Sequence, residues 1–310
     1  MTRSRTIEIV APSGYPPDQA AAERGIARLR ADGHRVQAEQ VAQRRYLRFG
    51  GTDAQRAEDL NRLAEPARPL PDIVLALRGG YGAVRILDSL DYEGLARRLA
   101  GAPIAICGHS DFTAIQLALL ARANLVTFGG PMLTANFGAE TVSTFTRDHF
   151  WRALESPVLT ISEATAQARA QTVDVSGTLW GGNLAMIAAL AGTPYMPQID
   201  GGILFVEDVN EHPYRVERMF YQLHLAGILA RQQAIMLGDF TGGKLSPYDN
   251  GFDLTAVIEQ IGRVTGLPIV TGLRFGHGAD LVTLPFGAQA RLRANADGFT
   301  LTASGHPTLR

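Results

Sequence analysis

Short apolar runs alternate with amphipathic stretches along the first half of the chain. Thr6 to Val10, Ile73 to Leu77 and Ile104 to Cys107 are apolar enough to predict buried strands. Apolar positions recur at helical spacing from Asp18 to Ala31, and a second helical pattern follows Ser110. Strand and helix signals that alternate in this way predict a parallel sheet with helices on both faces.

The second half of the chain has a different pattern. A helical stretch, Asn183 to Ala191, is followed by a strand from Ile203 to Glu207, a helix that begins at Pro213 and a strand at Ala234 to Leu237. The end of the chain predicts short strands, with a hairpin at Asp297-Gly298. These strands are Leu281 to Leu284, Ala290 to Arg293 and Phe299 to Thr302. This half therefore predicts a smaller mixed domain with a β-rich end.

A turn-rich stretch, Glu155-Ser156-Pro157, and the polar segment Ser162 to Thr172 separate the two patterns. We therefore predict an α/β domain at residues 1–155 and a mixed α/β domain at 176–310, joined by a linker at 156–175. The first domain is expected to be a doubly wound parallel sheet like that of flavodoxins and amidotransferases, and the second a smaller β-rich unit.

A serine follows one of the predicted strands at the point where a helix begins. In Cys107-Gly108-His109-Ser110-Asp111 the strand ends in Gly-x-Ser. Such a corner exposes the serine hydroxyl beside the free N–H groups of the helix start. The same pattern also occurs as an ordinary helix N-cap, a role that both Ser and Asp favour. Ser110 is thus a candidate nucleophile, and two further segments favour that interpretation over capping.

A carboxylate and a histidine occur in positions that complement this serine. Glu207 ends a predicted strand, and active-site residues of α/β proteins lie at the carboxyl ends of strands. His277 stands between Gly276 and Gly278, whose lack of side chains lets the backbone approach another group closely. An imidazole can take the proton of a serine hydroxyl, and a carboxylate can orient the imidazole and stabilise its charged form. Ser110, Glu207 and His277 are therefore the candidate nucleophile, orienting acid and base.

Two other glutamates compete with Glu207 for the role of orienting acid. Glu211 precedes Pro213, and Glu217 lies in the helix that Pro213 opens, next to the predicted buried stripe of that helix. We favour Glu207 because it ends a strand, and we expect Glu217 to be an ion-pairing surface residue.

Several blocks of the chain resemble those of the LD-carboxypeptidases, serine peptidases that trim muramoyl tetrapeptides during murein recycling. They are Ile9 to Gly14, Arg78 to Ala83, Gly108 to Thr113, Gly177 to Leu184, Glu207-Asp208 with Glu211 to Arg218, and Phe275 to His277. The blocks occur in order along nearly the whole chain. The resemblance implies that Ser110, Glu207 and His277 match the Ser, Glu and His triad of that family.

The resemblance also implies a reaction and a setting for it. An enzyme of this kind would release the terminal D-alanine of a murein tetrapeptide by cutting its bond to the L-configured centre of diaminopimelate, through an acyl-enzyme. The resemblance further implies a cytoplasmic enzyme that acts on recycled wall fragments, and a possible homodimer.

A glycine-rich turn at residues 78–82 follows directly after a predicted strand. Its backbone N–H groups can form an anion-binding nest, and the residue after the serine supplies a further donor. Gly80 and Asp111 are therefore the predicted oxyanion-hole donors. Arg78 and Tyr81 are candidate substrate-binding residues, because a guanidinium can meet a terminal carboxylate with two hydrogen bonds. The alternatives are a structural ion pair for Arg78, and a plain tight turn or a phosphate cradle for the segment, although it lacks both common nucleotide-binding fingerprints.

Composition narrows the possible partners. A formal net charge of −1 and a pI near 6.7 provide no basic field for nucleic acid. No run approaches the roughly 18 apolar residues of a membrane helix and the N-terminus has no secretory apolar segment, so we expect a cytoplasmic protein without a membrane partner. The single cysteine, Cys107, excludes an internal disulfide. We expect no metal or other cofactor, because the remaining histidines lack the spacing of metal ligands.

Two alternative functions stay open on the sequence alone. One is a related serine peptidase that cleaves another acylated amine, such as an immunity enzyme of the microcin type that acts on a peptide-nucleotide toxin. The blocks Glu211 to Tyr214 and Gly177 to Leu184 resemble the murein-recycling branch and favour the murein substrate. The other is a non-catalytic, flavodoxin-like ligand-binding protein, whose function would survive replacement of Ser110 by alanine.

Overall fold

A computed structural model describes residues 3–164 and 172–309 of the chain. Up to residue 155, strands and helices alternate, as the apolar runs predict. The strands of this part are β1 (Thr6–Val10), β2 (Arg35–Gln37), β3 (Ile73–Ala76), β4 (Ala105–Gly108) and β5 (Thr127–Gly129). The α-helices are α1 (Gln19–Ala31), α2 (Asp53–Asn61), α3 (Tyr92–Leu99), α4 (Thr113–Ala123) and α5 (Thr144–Glu155).

The remainder of the described chain is richer in strands. Its strands are β6 (Val158–Ala164), β7 (Val173–Asn183), β8 (Gly202–Val209), β9 (Gln232–Thr241), β10 (Ile269–Val270), β11 (Leu284–Phe286), β12 (Gln289–Ala294) and β13 (Gly298–Ser304). Its α-helices are α6 (Leu184–Leu190), α7 (Pro213–Leu225) and α8 (Leu254–Thr265).

The first sheet has the strand order β11-β5-β4-β3-β1-β2. Its first five strands in chain order run parallel, and β11 is antiparallel to β5. The parallel strands follow the order 2-1-3-4-5, so the direction of winding reverses between β1 and β3. In open sheets of this type, ligands bind outside the carboxyl ends of the strands near such a reversal. The predicted doubly wound parallel sheet is confirmed.

Both faces of the central strands β3 and β4 are buried, which explains why these strands are apolar throughout rather than alternating. Ile73 and Leu75 of β3 belong to a core cluster that includes residues of α1 and α5. Val74 and Ala76 point to the other face and belong to a cluster with residues of α2, α3 and α4. The second cluster continues into the second sheet, so the two sheets share one apolar core.

The second sheet is mixed and has the order β10-β9-β8-β7-β12-β13-β6. The strands from β10 to β7 are parallel, whereas β12, β13 and β6 pair in antiparallel fashion. The tight connection at Asp297 joins β12 to β13 as the hairpin signal predicts. The predicted mixed, β-rich second unit is therefore confirmed.

Two predicted helices begin one residue later than expected, and each starts after a capping side chain. The Asp18 carboxylate accepts a hydrogen bond from the N–H of Ala21 (3.1 Å), and the Asn183 side chain accepts one from the N–H of Met186 (3.2 Å). Capping of this kind satisfies donors that have no partner inside the helix. Apolar periodicity therefore identifies the helices, and the caps define where they begin.

Two stretches differ from their predicted secondary structure. Residues 156–175, predicted as a linker, include β6, which pairs along its whole length with β13; residues 165–171 lie outside the described part. The strand predicted from Leu281 begins only at Leu284 and joins the first sheet. The N–H groups of Leu281 and Val282 are used by the Thr146 hydroxyl and the Arg274 carbonyl instead of a strand partner. Where a domain boundary falls stays a prediction.

Candidate active site

Ser110 lies just beyond the carboxyl end of β4, at the start of a short 3-10 turn that leads into α4. Its backbone has a φ of 62°, which lies in the left-handed region that residues other than glycine rarely adopt. The turn leaves no room for a side chain at Gly108, because a Cβ there would lie 2.7 Å from the Phe112 ring and 2.8 Å from the Ala76 Cβ. The Gly-x-Ser sequence is thus a steric requirement of this corner.

The side chains of Ser110, His277 and Glu207 form a continuous chain of contacts. The Ser110 Oγ and the His277 Nε2 lie 3.2 Å apart, and the His277 Nδ1 lies 2.8 Å from the Glu207 Oε2. Glu207 is fully buried, whereas His277 keeps about a quarter of its side chain exposed (26%). The structure therefore brings together the three residues singled out in the sequence.

The electrostatic surroundings of His277 favour its protonated form. Burial lowers the pKa of the imidazole, but the hydrogen bond and the charge of Glu207, with Asp208 and Asp239 behind it, outweigh burial and raise the pKa above its ordinary value. A raised pKa makes this imidazole a stronger proton acceptor toward the Ser110 hydroxyl.

Glu207 lies inside β8 rather than at its end, because the strand continues to Val209. The pairing of β8 with β9 is irregular between Val206 and Asp208. Adjacent residues of a regular strand point to opposite faces, and a bulge changes that alternation. At this irregularity the carboxylates of both Glu207 and Asp208 reach the side chain of Asn183.

Asn183 links these two carboxylates. Its side-chain amide donates to the Glu207 Oε1 (3.2 Å) and to the Asp208 Oδ1 (3.1 Å). Asp208 also accepts hydrogen bonds from the N–H groups of Ala185 and Val209, yet burial dominates and raises its pKa to about 6. The amide of Asn183 offsets the repulsion between two neighbouring buried carboxylates.

Asp239 and two glycines hold the segment that carries His277. The Asp239 Oδ2 accepts a hydrogen bond from the N–H of Gly278 (2.8 Å). Gly276 has a φ of 137°, and a Cβ there would lie 2.9 Å from the Asp239 Cβ and 3.1 Å from the Glu207 Cβ. The glycines beside His277 thus let the backbone pass directly over β8 and β9, as their presence in the sequence suggests.

His109 stays apart from the chain of contacts despite its position next to Ser110. Its ring is buried, donates from Nδ1 to the Gly130 carbonyl (2.8 Å) and lies with its centroid 5.3 Å from that of His277. Burial, together with the charge of His277, lowers the pKa of His109 to about 4. A neutral ring at this position forms a wall of the site.

The glycine-rich turn after β3 lies against Ser110. A Cβ at Gly79 would be 2.8 Å from the Ser110 Oγ and 3.4 Å from the backbone nitrogen of Asp111. The Asp111 carboxylate is buried and accepts a hydrogen bond from the N–H of Ala83 (2.9 Å), which ties the far end of the turn to the serine corner. Gly80, one residue further, has a φ of 107°. The turn and the serine corner therefore form one surface.

The other candidate residues are placed as follows. Arg78 is half-buried and donates to the Tyr15 carbonyl (2.7 Å), while Tyr81 is 42% exposed. Glu211 pairs with Arg215 (3.7 Å) rather than with His277. Glu217 is half-buried on α7.

Three residues of the site were not singled out in the sequence: Asn183, Asp208 and Asp239. Asp208 follows Glu207 directly, but alternation along a strand places it on the opposite face, and the irregularity of β8 has no clear sequence signal. Asn183 had a signal, since a polar residue that ends a strand before a helix is a typical N-cap.

Within residues 3–164 and 172–309, no group of three or more His, Cys, Asp or Glu side chains is arranged to hold a metal ion. Over the same residues, no helix is both long and apolar enough to cross a membrane.

Comparison with known proteins assigns the chain to a family. Residues 7–130 match the family model described as the LD-carboxypeptidase N-terminal domain (Peptidase S66), and residues 176–292 match the corresponding C-terminal domain. A putative carboxypeptidase of Streptomyces coelicolor is 36% identical over 95% of this chain and 92% of its own. The chain therefore belongs to the LD-carboxypeptidase family and is a carboxypeptidase, which confirms the resemblance seen in the sequence.

Two further relatives bear on the substrate. The crystal structure of the muramoyltetrapeptide carboxypeptidase from Oxalobacter formigenes has a TM-score of 0.89 and 43% identity, and the match covers 98% of this chain and all of that one. The microcin C7 self-immunity protein MccF of Escherichia coli is 26% identical over 90% of this chain and 87% of its own.

Proposed function

We propose that this protein is a serine LD-carboxypeptidase that removes the terminal D-alanine from murein tetrapeptides during cytoplasmic peptidoglycan recycling. The observation that carries the proposal is the contact chain from the Ser110 hydroxyl through His277 to the buried carboxylate of Glu207. A serine hydroxyl is a weak nucleophile until a base takes its proton, and this arrangement supplies the base and its orienting acid.

The reaction then proceeds in two halves. In the first, the Ser110 Oγ attacks the carbonyl carbon of the diaminopimelate–D-alanine bond while the His277 Nε2 takes the hydroxyl proton. The imidazolium returns that proton to the departing amine, the carbon–nitrogen bond breaks, and D-alanine leaves an ester on Ser110. In the second half His277 activates a water molecule, which hydrolyses the ester and regenerates the hydroxyl. Glu207 holds the ring with Nδ1 protonated and stabilises its positive charge.

The carbonyl oxygen gains negative charge in both halves and needs hydrogen-bond donors. We assign this role to the backbone N–H groups of Asp111 and Gly80. The close approach of Gly79 to Ser110 supports the assignment, because it places the turn that contains Gly80 next to the nucleophile.

A related peptidase activity on another acylated amine is the second candidate, and the similarity to the microcin C7 self-immunity protein favours it. The same Ser-His-Glu chemistry serves both candidates, so the difference lies in the substrate. The higher identity to the muramoyltetrapeptide carboxypeptidase, 43% against 26%, is our reason for placing the murein tetrapeptide first.

The proposal is tested by mass spectrometry of a diaminopimelate-containing murein tetrapeptide after incubation with the purified protein. We expect loss of one alanine in the presence and in the absence of a chelator, and no loss with the Ser110→Ala variant. An unchanged tetrapeptide with folded wild-type protein would instead favour the second candidate. Loss of alanine that requires a metal, or that survives Ser110→Ala, would overturn the serine mechanism.

A further inference from the structure

Two guanidinium groups stand beside the turn that touches Ser110. The Arg78 guanidinium folds back along its own turn, and a Cβ at Gly80 would lie 3.4 Å from its Nη2. The Arg48 guanidinium lies over the ring of Tyr81, with its carbon 5.5 Å from the ring centroid. Both cations thus border the two residues that follow Gly79.

The backbone keeps the two arginines in place. The N–H of Gly14 donates to the Gly79 carbonyl (3.2 Å), and the N–H of the next residue, Tyr15, donates to the Arg48 carbonyl (3.3 Å). The segment after β1 therefore bridges the turn that carries Arg78 and the loop that carries Arg48. The turn that carries Arg78 and the loop that carries Arg48 are therefore held side by side.

Neither cation is neutralised by the protein. Among residues 3–164 and 172–309, no carboxylate forms an ion pair with Arg48 or Arg78. Burial first, and the charge of Arg48 second, lower the pKa of Arg78. Two like charges held together cost free energy unless an anion joins them.

Neighbouring arginines show that the local sequence is able to supply a counter-ion. The Asp53 carboxylate pairs with Arg56 (2.5 Å) and with Arg85 (2.8 Å), and both of those guanidinium groups lie against the Phe49 ring. Arg48 and Arg78 differ from Arg56 and Arg85 because they have no such carboxylate partner in the described part of the chain and could pair with an anion from outside it.

We propose that Arg48 and Arg78 together bind the terminal carboxylate of the leaving amino acid, and that Arg48 thereby helps to restrict the enzyme to free carboxyl termini. This inference rests on the proposed function. In a peptide acid, the carboxyl carbon is only two bonds from the scissile nitrogen, so a carboxylate-binding group must lie close to the nucleophile. Arg78 is on the turn that contacts Ser110, and a fork of guanidinium donors suits a carboxylate.

The test compares kcat/KM for the tetrapeptide acid with kcat/KM for the same peptide ending in D-alaninamide. We expect Arg48→Gln to lower kcat/KM for the acid about ten- to a hundredfold and to leave the amide nearly unchanged. Arg48→Lys, which keeps the charge but not the fork, should retain part of the preference. Arg45→Gln is the matched control, because Arg45 is in the same loop but stacks on Tyr15 instead (4.3 Å).

The inference would be overturned if wild type and Arg48→Gln had the same ratio of kcat/KM for the acid to kcat/KM for the amide. It would also be overturned if Arg45→Gln lost as much kcat/KM for the acid as Arg48→Gln does. The proposed function would stand in both cases. If the wild type cleaves neither peptide, the proposed substrate is wrong, and the arginines are tested separately by ligand-observed NMR on the Ser110→Ala protein. N-acetyl-D-alanine should then bind in preference to N-acetyl-D-alaninamide, and Arg48→Gln should abolish the preference. Equal binding of both probes would overturn the inference.

Discussion

The backbone N–H of Asn183 donates a hydrogen bond to the hydroxyl of Thr113, and the two atoms lie 3.1 Å apart. Thr113 opens the helix behind Ser110, and Asn183 holds the Glu207 carboxylate. The approach is close enough to require glycine at position 182, where a Cβ would lie 2.5 Å from the Thr113 hydroxyl. One contact therefore connects the corner that carries Ser110, beside the first sheet, to the Glu207 carboxylate of the second sheet.

Asn183→Ala is expected to lower both stability and activity. The substitution removes a buried donor from two carboxylates and also removes the cap of α6, so the free energy of unfolding should fall by about 1–3 kcal/mol. With Glu207 less restrained, kcat should fall by about tenfold while KM changes little. Chemical denaturation and steady-state kinetics on the same preparation measure the two effects. A fall in stability with an unchanged kcat would show that Asn183 acts only as a cap.

The acidic limb of the pH profile reports on His277. The imidazole must be neutral to take the Ser110 proton, and its pKa is raised, so kcat/KM should reach half its maximum on the acidic side above pH ~6.5. In Glu207→Gln the remaining effect of burial should move this limb to lower pH, and the maximum should fall by about three to four orders of magnitude. A limb that stays in place in Glu207→Gln would contradict the role of Glu207.

The same raised pKa couples protonation of His277 to stability. Because the folded protein binds this proton more tightly than the unfolded chain, the stabilisation is complete below the unfolded pKa of about 6.5 and is lost as the pH rises through the folded pKa. The contact between His277 and Glu207 thus favours folding most under the mildly acidic conditions in which His277 is protonated and cannot take the Ser110 proton.

Two replacements of Ser110 distinguish its role in the reaction from the backbone strain at its position. Both Ser110→Ala and Ser110→Gly should lose several orders of magnitude in kcat. Since φ is 62° at this position, glycine fits the backbone better than alanine, and Ser110→Gly should be about 1 kcal/mol more stable than Ser110→Ala. Thermal or chemical unfolding decides the order, and an alanine variant of equal or greater stability would argue against strain at the corner.

Gly79→Ala is expected to inactivate the enzyme although it replaces none of Ser110, His277 and Glu207. The added methyl group would lie 2.8 Å from both the Cβ and the Oγ of Ser110, so either the turn or the serine must move. We expect kcat/KM to fall by at least about a hundredfold, because a displacement of about 1 Å is enough for such a loss. Gly262→Ala is the control, since Gly262, like Gly79, lacks a positive φ, and a Cβ there would meet only the Ile269 Cδ1, at an ordinary contact distance of 3.7 Å. Comparable kcat/KM in the two variants would show that the turn can move to accept the methyl group without displacing Ser110.

The first sheet and the residues Ser110, Glu207 and His277 could be predicted from the sequence because their signals are local. An apolar run that ends in Gly-x-Ser, and a histidine between glycines, have direct steric meaning at Gly108 and Gly276. Partners distant in the chain have no such signal. The apolar run Leu284 to Phe286 predicts a short strand but does not indicate which of the two sheets it joins. Only the folded structure shows that it pairs with β5 of the first sheet. The approach of Arg48 to Arg78 likewise depends on a bridge through Tyr15 that spacing does not reveal.

The segment that carries His277 is tied to both sheets. At its start the Phe275 carbonyl accepts a hydrogen bond from the N–H of Asp239 on β9 (2.8 Å), and at its end β11 pairs with β5. The backbone segment that carries the imidazole is therefore attached to the second sheet at one end and to the first sheet at the other, so its length fixes where the ring lies. An insertion or deletion within residues 279–283 would therefore change the length of this connection and move the His277 ring away from the Ser110 hydroxyl.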